Sequence, residues 1–314
     1  MVEMKATRDG YGEALVELGK TDPRVVVLGA DLTDSTRALW FAEKFPERFF
    51  QIGIAEQDML NTAAGLSLTG KIPFVSTYGV FVSGRAWDQI RTTICYANLN
   101  VKIGGAHGGV SVGPDGATHQ ALEEITLMRV LPNMKVIVPC DALETYKATM
   151  KAAEIEGPVY IRFGREKIAV ITKKDTPFNL GKAATFREGK DVSLIACGYM
   201  VYEALKAADE LEKKKISAKV INLHTVKPID KEAIIKAAKE TGAIVTCEEH
   251  QIMGGFGSAV AEVVVENCPV PMKFIGIQDR FGESGTPEEL IKEFNLDSSD
   301  IIKAVEEVLK RKRK

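Results

Sequence analysis

Short apolar runs rich in β-branched residues alternate with helical patterns along the whole chain. In the first half the runs at 25–28, 49–52, 72–76, 101–104, 135–138 and 159–162 predict strands, and several are apolar on both faces. Segments 8–20, 57–69, 82–96 and 142–156 carry apolar residues at three- and four-residue spacing and predict helices. This alternation predicts an α/β fold on a parallel sheet that helices cover on both sides.

A polar stretch at 173–191 interrupts this pattern. It contains Pro177, Gly181 and Gly189 and keeps no apolar period, so it predicts a linker. Beyond it, strands at 192–196, 218–222, 243–248 and 273–277 alternate with helices such as 201–213 and 231–240. A chain of 314 residues is long enough for two α/β domains, which we place at 1–172 and 192–314.

The charge balance argues against a nucleic-acid partner. The formal net charge is -2, whereas nucleic-acid binding depends on clustered Lys and Arg that neutralise phosphates. One basic run occurs at 310–314, and there it is typical of a solvated helix end that complements the helix dipole.

The cysteines and the hydropathy pattern bear on location. The five cysteines are scattered singly, as small buried side chains in a reducing compartment are. No segment approaches 18 uninterrupted apolar residues, and the N-terminus has no apolar core of signal-peptide length. These features predict a cytoplasmic protein without a membrane partner.

The first candidate site is Gly-Ile-Ala-Glu-Gln at 53–57, which follows a predicted strand and opens a predicted helix. Glu56 lies between small apolar residues, where a buried carboxyl could hold or give a proton near neutral pH. The alternative is an ordinary glutamate at a helix N-terminus, stabilised by the helix dipole.

The second candidate is the loop at 104–120, which contains six glycines and two of the four histidines, His107 and His119. Glycine lets a backbone approach a ligand closely, and histidine can bind phosphate or hydroxyl oxygens. A metal site of His107, Asp115 and His119 has suitable ligand types, but no Cys or further His stands near them. A purely structural turn is the remaining alternative, although long glycine-rich loops after strands are more often functional.

A third cluster, at 76–81, ends a predicted strand with the aromatics Tyr78 and Phe81. These side chains could be ordinary core residues. Their functional interpretation is an apolar slot for a flat ring, because aromatic rings favour offset stacking.

Taken in order, these clusters resemble the C-terminal half of transketolase. The likeness is strongest at 53–57 and in Asp-Gly-x-Thr-His-Gln at 115–120, and the segment 248–258 extends it into the second half. The resemblance covers nearly the whole chain. It implies a pyrimidine-type thiamine-diphosphate domain at 1–172 and a smaller transketolase C-terminal-like α/β domain at 192–314.

The resemblance implies roles for the first and third clusters. Glu56 is the carboxyl that hydrogen-bonds a ring nitrogen of the aminopyrimidine and favours the form that takes the thiazolium proton. Tyr78 and Phe81 are the aromatic wall against the pyrimidine. Gly84 stands where many transketolases have a further aromatic residue.

The resemblance also implies a binding site for sugar phosphates. His107, Asp115 and His119 match positions that contact substrate hydroxyls and phosphate, and both histidines count with Glu56 as catalytic candidates. Further substrate-binding candidates are Arg8, Asp31, Ser35 and Arg165. Arginine suits phosphate because its planar fork pairs bidentately with the oxygens. Arg162 is instead expected to be a structural charge at a strand end.

Neither of the family's magnesium motifs, Gly-Asp-Gly and a later Asn-Asn pair, occurs in the sequence. The resemblance therefore implies that magnesium and the diphosphate are bound by a separate N-terminal transketolase subunit, in a heterotetramer of two copies of each chain. The expected reaction moves a two-carbon ketol unit from a ketose phosphate to an aldose phosphate. Alternatives are half of a deoxyxylulose-phosphate synthase, a 2-oxoacid dehydrogenase beta subunit, and a non-catalytic assembly subunit.

Overall fold

The structure is a computed structural model that describes residues 2–312. Its strands are β1 (Met4–Ala6), β2 (Val25–Gly29), β3 (Phe49–Gln51), β4 (Ile72–Tyr78), β5 (Lys102–Ala106), β6 (Lys135–Ile137), β7 (Val159–Phe163), β8 (Lys167–Ala169), β9 (Ala184–Arg187), β10 (Val192–Ala196), β11 (Ala218–Asn222), β12 (Thr225–Lys227), β13 (Ile244–Gln251) and β14 (Met272–Ile277). Its α-helices are α1 (Thr7–Thr21), α2 (Leu39–Lys44), α3 (Glu56–Leu68), α4 (Gly79–Arg85), α5 (Glu124–Arg129), α6 (Ala142–Glu154), α7 (Met200–Lys213), α8 (Lys231–Thr241), α9 (Phe256–Asn267), α10 (Pro287–Glu293) and α11 (Ser298–Lys312).

The first sheet has the strand order β12-β6-β7-β5-β4-β2-β3. Its neighbours run parallel, except that β12 pairs antiparallel with β6. Alternate strand residues pack into two hydrophobic cores, one beneath α1, α2 and α6 and the other beneath α3 and α5. Helices on both faces explain why these strands are apolar throughout.

The second sheet has the order β14-β13-β10-β11-β9 and is parallel except for β9. One of its faces packs against α7 and α11 and the other against α8 and α9. The sequence prediction of a parallel-sheet domain followed by a smaller α/β domain is confirmed. The predicted strands of the first half are present, with bounds that differ by at most two residues.

The single helix predicted at 82–96 is wrong. Helix α4 ends at Arg85, because Ala86 leaves the helical region with φ -113°, and a π-helix follows at Gln89–Cys95. In that π-helix the Tyr96 N–H donates to the Arg91 carbonyl, five residues back, at 3.0 Å. An apolar spacing of three to four residues does not distinguish one continuous helix from two short helices of different type.

A strand lies inside the segment that the sequence predicts as a linker. Strand β9 falls within 173–191 and pairs antiparallel with β11 at the edge of the second sheet. It has four residues, none fully buried, so no apolar period marks it. The domain limits at 172 and 192 stay a prediction.

The two sheets are tied together by contacts that cross between them. Strand β12 leaves the second half of the chain and extends the first sheet, where the Val138 N–H donates to the His224 carbonyl at 2.7 Å. The buried guanidinium of Arg162 donates to the Glu124 carboxylate and, at 2.7 Å, to the Glu249 carbonyl. Arg162 thus joins the two sheets, which is a structural role of the kind expected for it from the sequence.

The longest helices of the described chain, α1 and α11, have 15 residues each. Within residues 2–312 no helix combines the length and the apolar character needed to cross a membrane. Helix α11 ends in the basic residues Lys310, Arg311 and Lys312, and the rest of the predicted basic run, Arg313 and Lys314, lies outside the described residues.

Candidate active site

The predicted site residues gather where strands of the first sheet end. Strands β4, β5 and β7 end at Tyr78, Ala106 and Phe163, and His107 follows directly after β5. Because neighbouring parallel strands end at the same edge, the residues beyond them lie close together. Helix α1 reaches the same edge, where the Arg8 N–H donates to the Gly164 carbonyl at 3.3 Å.

Glu56 is the first residue of α3 and is only 3% exposed. The chain turns into this helix through Gly53, whose φ of +77° favours glycine. One carboxylate oxygen, Oε1, accepts from the Arg85 Nη1 at 3.0 Å. The structure therefore places Glu56 as a nearly buried acid at a helix N-terminus, with a half-exposed cation as its partner.

The aromatic cluster and both loop histidines come together. The rings of Tyr78 and Phe81 stack with centroids 5.7 Å apart, and Tyr78 lies 4.0 Å from the ring of His107. His119 meets Phe81 edge-on at 5.4 Å. Residues from two separate sequence clusters, 76–81 and 104–120, thus form one aromatic surface.

His107 is buried, with 1% exposure, and adopts a positive φ of 60° that non-glycine residues seldom take. Neither ring nitrogen has a hydrogen-bond partner. Burial, together with the nearby positive charges of Arg8 and Arg165, lowers the pKa of His107 to about 3. A neutral imidazole with two unpaired nitrogens suits a ligand hydroxyl or phosphate, since buried polar atoms are normally paired.

Arg8 and Arg165 place positive charge near His107. The Arg8 Nη1 donates to the Ser35 carbonyl at 3.1 Å, and the Arg165 Nη1 donates to Asp115 at 2.9 Å. Burial lowers the pKa of Arg8, and repulsion from Arg37 and Arg165 lowers it further. Like charges held this close are favourable where an anion binds between them.

Ser35 and Asp31, two of the predicted substrate-binding residues, lie near Arg8 and beyond the end of β2. Ser35 meets Arg8 through its backbone carbonyl rather than its hydroxyl. Asp31 is exposed beyond the end of β2, where its N–H donates to the Gln51 Oε1 at 2.8 Å. Both residues lie at the same edge of the sheet, and their roles toward substrate stay predictions.

Sequence reasoning missed Arg37 and Arg85. Arg37 has a positive φ of 65° and binds Asp9 at 2.8 Å, features that no local pattern announces. Arg85 lies 4.0 Å above the ring of Phe81 and also binds Glu56. The sequence spacing could have indicated Arg85, because Arg85 follows Phe81 by four positions on α4 and residues four apart on a helix share a face.

The glycine-rich loop is shaped by the second half of the chain. The Ser111 N–H donates to the buried carboxylate of Glu249 at 2.5 Å, and Gln120 donates to the Glu283 carbonyl at 2.8 Å. Gly109 has a φ of +89°, and a Cβ there would lie 2.1 Å from the Glu249 carboxyl carbon. The loop glycines thus have a structural role, while the histidines of the same loop line the site.

The residues at this edge fit a flat nitrogen heterocycle better than a metal ion. Glu56 offers a nearly buried acceptor, and Arg85 links it to the face of the Phe81 ring. Apart from its own helix, Gly84 has no atom within 4 Å of where its Cβ would be. In the described part of the chain, no three His, Cys, Asp or Glu side chains are grouped to hold a metal ion.

The fold and the site define a two-domain α/β chain in which a nearly buried acid, stacked aromatic rings and a cluster of arginines lie at one edge of the first sheet. The pyrimidine-binding domain of transketolase matches residues 3–170, and the transketolase C-terminal domain matches residues 181–301. The chain belongs to the transketolase family, as the sequence resemblance implies.

Related chains are similar over their full length. A solved structure titled as a split-gene transketolase, an inactive beta4 tetramer, is 50% identical, with a TM-score of 0.92 over 98% of this chain and 99% of that chain. The 6-deoxy-6-sulfo-D-fructose transketolase subunit of Clostridium sp. is 42% identical, covering 97% of this chain and 95% of the relative. An apulose-4-phosphate transketolase subunit of Phocaeicola vulgatus is 40% identical, covering 98% of this chain and 99% of the relative. The chain thus matches the C-terminal subunit of split transketolases.

Proposed function

We propose that this chain is the pyrimidine-binding subunit of a two-subunit transketolase. It would transfer a two-carbon ketol unit from a ketose phosphate to an aldose phosphate. The observation that carries the proposal is the nearly buried carboxyl of Glu56, which Arg85 links to the Phe81 ring, at the same sheet edge as the cluster of arginines around His107.

Glu56 and the aromatic residues act toward the cofactor. Thiamine diphosphate, when bound, supplies the carbon nucleophile that carries the two-carbon unit. Glu56 would accept a hydrogen bond from a protonated ring nitrogen and so stabilise the proton there, which would favour proton movement within the pyrimidine. Phe81 and Tyr78 orient the ring by stacking.

The histidine loop and the arginines act toward the substrate. His107 stays neutral at physiological pH because its pKa is lowered, so it can exchange hydrogen bonds with hydroxyl groups without adding charge. Arg8 and Arg165 bind the anionic end of the sugar. Asp115, held by Arg165, and His119 contact hydroxyl groups of the sugar chain.

The choice of phosphate rests on the arginine cluster, which would also accept other tetrahedral anions. One relative is named for a sulfonated ketose and another for a phosphorylated sugar, so the family offers both. We propose phosphorylated substrates, with xylulose 5-phosphate as donor and ribose 5-phosphate as acceptor. A sulfonated ketose is the substrate against which the activity with phosphorylated ketoses would be compared.

A partner subunit would hold the diphosphate and magnesium. Both relatives are named as subunits and have nearly the length of this chain, and the similar beta4 tetramer is titled inactive. We propose a heterotetramer of two copies of each chain, in which the active site forms between unlike subunits.

Reconstitution tests the proposed reaction. The chain is mixed with its co-purifying partner, thiamine diphosphate, magnesium and the two pentose phosphates, and products are identified by mass spectrometry. We expect a seven-carbon ketose phosphate and a three-carbon aldose phosphate from the mixture and neither from this chain alone. Turnover of pyruvate without turnover of the ketose would instead indicate the synthase reaction, and full activity without the partner would reject the two-subunit site.

A further inference from the structure

A single guanidinium contacts both groups that the proposed function assigns to the pyrimidine. The Arg85 Nη1 donates to the Glu56 Oε1 at 3.0 Å, and the Arg85 Cζ lies 4.0 Å from the centroid of the Phe81 ring. Arg85 therefore covers one face of Phe81 while it satisfies the nearly buried acceptor.

The guanidinium resembles an aminopyrimidine in the properties that this site recognises. It is flat, it stacks on an aromatic face, and it presents N–H donors at its edge to a carboxylate. A carboxylate as buried as Glu56 is costly without a partner, so some donor must occupy it before the cofactor arrives.

We propose that Arg85 is an internal placeholder that occupies the pyrimidine position in the cofactor-free subunit and leaves it when thiamine diphosphate binds. This inference rests on the proposed function. The two groups compete because one face of Phe81 and one oxygen of Glu56 cannot hold both in the same geometry.

The surroundings of Arg85 allow its side chain to leave without rearranging the fold. The side chain is 49% exposed, and the neighbouring Gly84 has open space where a side chain would stand. The backbone at this point is fixed, because the Gln57 Nε2 donates to the Arg85 carbonyl at 2.9 Å. Rotation of the side chain alone would therefore expose both Glu56 and Phe81.

The affinity of the reconstituted complex for thiamine diphosphate, measured by calorimetry with magnesium, tests the placeholder. Arg85→Ala removes the competitor. Because thiamine diphosphate then no longer has to displace an ion pair and a cation–π contact, we expect it to bind about 3- to 30-fold more tightly. Arg85→Lys keeps the charge but not the plane, so its affinity should fall between. Arg91→Ala, which removes an exposed arginine from the nearby π-helix, should match wild type.

Inorganic diphosphate with magnesium is the control ligand, because it has no pyrimidine. Its affinity should be the same for the wild-type and Arg85→Ala complexes. Unchanged or weaker thiamine diphosphate binding by Arg85→Ala would overturn the inference, the weaker result showing that Arg85 helps to hold the pyrimidine. A wild-type complex that does not bind thiamine diphosphate at all would instead reject the proposed function.

Discussion

The imidazole of His107 lies against the ring of Tyr78, with centroids 4.0 Å apart. The contact follows from strand register: Tyr78 pairs with Ala106 across β4 and β5, so the next residue, His107, emerges beside the aromatic ring. Its buried position removes the imidazole from water and leaves both of its nitrogens without partners.

The lowered pKa of His107 makes stability depend on pH. The unfolded chain binds a proton at this histidine below its ordinary value of 6.5, whereas the folded chain does so only near 3. The contribution of the neutral imidazole to the free energy of unfolding is therefore fully present above pH 6.5 and is lost as the pH falls toward 3. When the pH is lowered from about 7.5 to about 5, we expect the free energy of unfolding of wild type to fall by about 2 kcal/mol more than that of His107→Gln.

Urea unfolding at the two pH values measures this difference. Parallel pH dependence in wild type and His107→Gln would contradict a buried, neutral imidazole. The measurement needs neither cofactor nor partner, so it tests the site geometry independently of the proposed reaction.

Arg165 should matter for the anionic end of the substrate. Loss of a charge-assisted hydrogen bond in Arg165→Ala should raise the KM for a phosphorylated donor about 10- to 100-fold while kcat changes little. Arg24→Ala is the matched control, because Arg24 pairs with Asp22 on an exposed surface. Steady-state kinetics with phosphorylated and unphosphorylated ketoses checks this, and an equal loss for both donors would count against a phosphate contact.

Gly109 should tolerate no side chain. Gly109→Ala would combine a φ of +89° with a Cβ 2.1 Å from the Glu249 carboxyl carbon, so we expect a loss of about 2 kcal/mol or more. Gly65→Ala, on α3 with nothing within 4 Å, should instead stabilise the chain by about 1 kcal/mol. Chemical denaturation of the two variants measures both effects, and similar values would show that Glu249 does not constrain the loop.

Local pattern was sufficient for the buried strands of the first sheet. A segment such as Val25–Gly29 is buried along its whole length, and its apolar run therefore marks it in the sequence. Strands such as Met4–Ala6 and Thr225–Lys227 have three residues each and exist because a distant partner pairs with them. Tertiary pairing leaves no periodic signal in so short a segment.

The same distinction holds in the site. Glu56, His107 and Phe81 could be predicted because each belongs to a motif that follows a strand. Arg37 and Arg85 enter through side-chain contacts with residues 28 and 29 positions away, Asp9 and Glu56. Such contacts depend on how helices pack over the sheet, which short motifs do not encode.

The most direct test of the account is proton exchange at the thiazolium carbon of thiamine diphosphate in the reconstituted complex, followed by NMR in deuterated water. Glu56→Gln removes the buried acid, and Asp58→Asn changes an exposed acid in the first turn of the same helix. The account predicts exchange slowed about 100-fold or more by Glu56→Gln and unchanged by Asp58→Asn. Exchange at the wild-type rate in Glu56→Gln, with the cofactor fully bound, would contradict it.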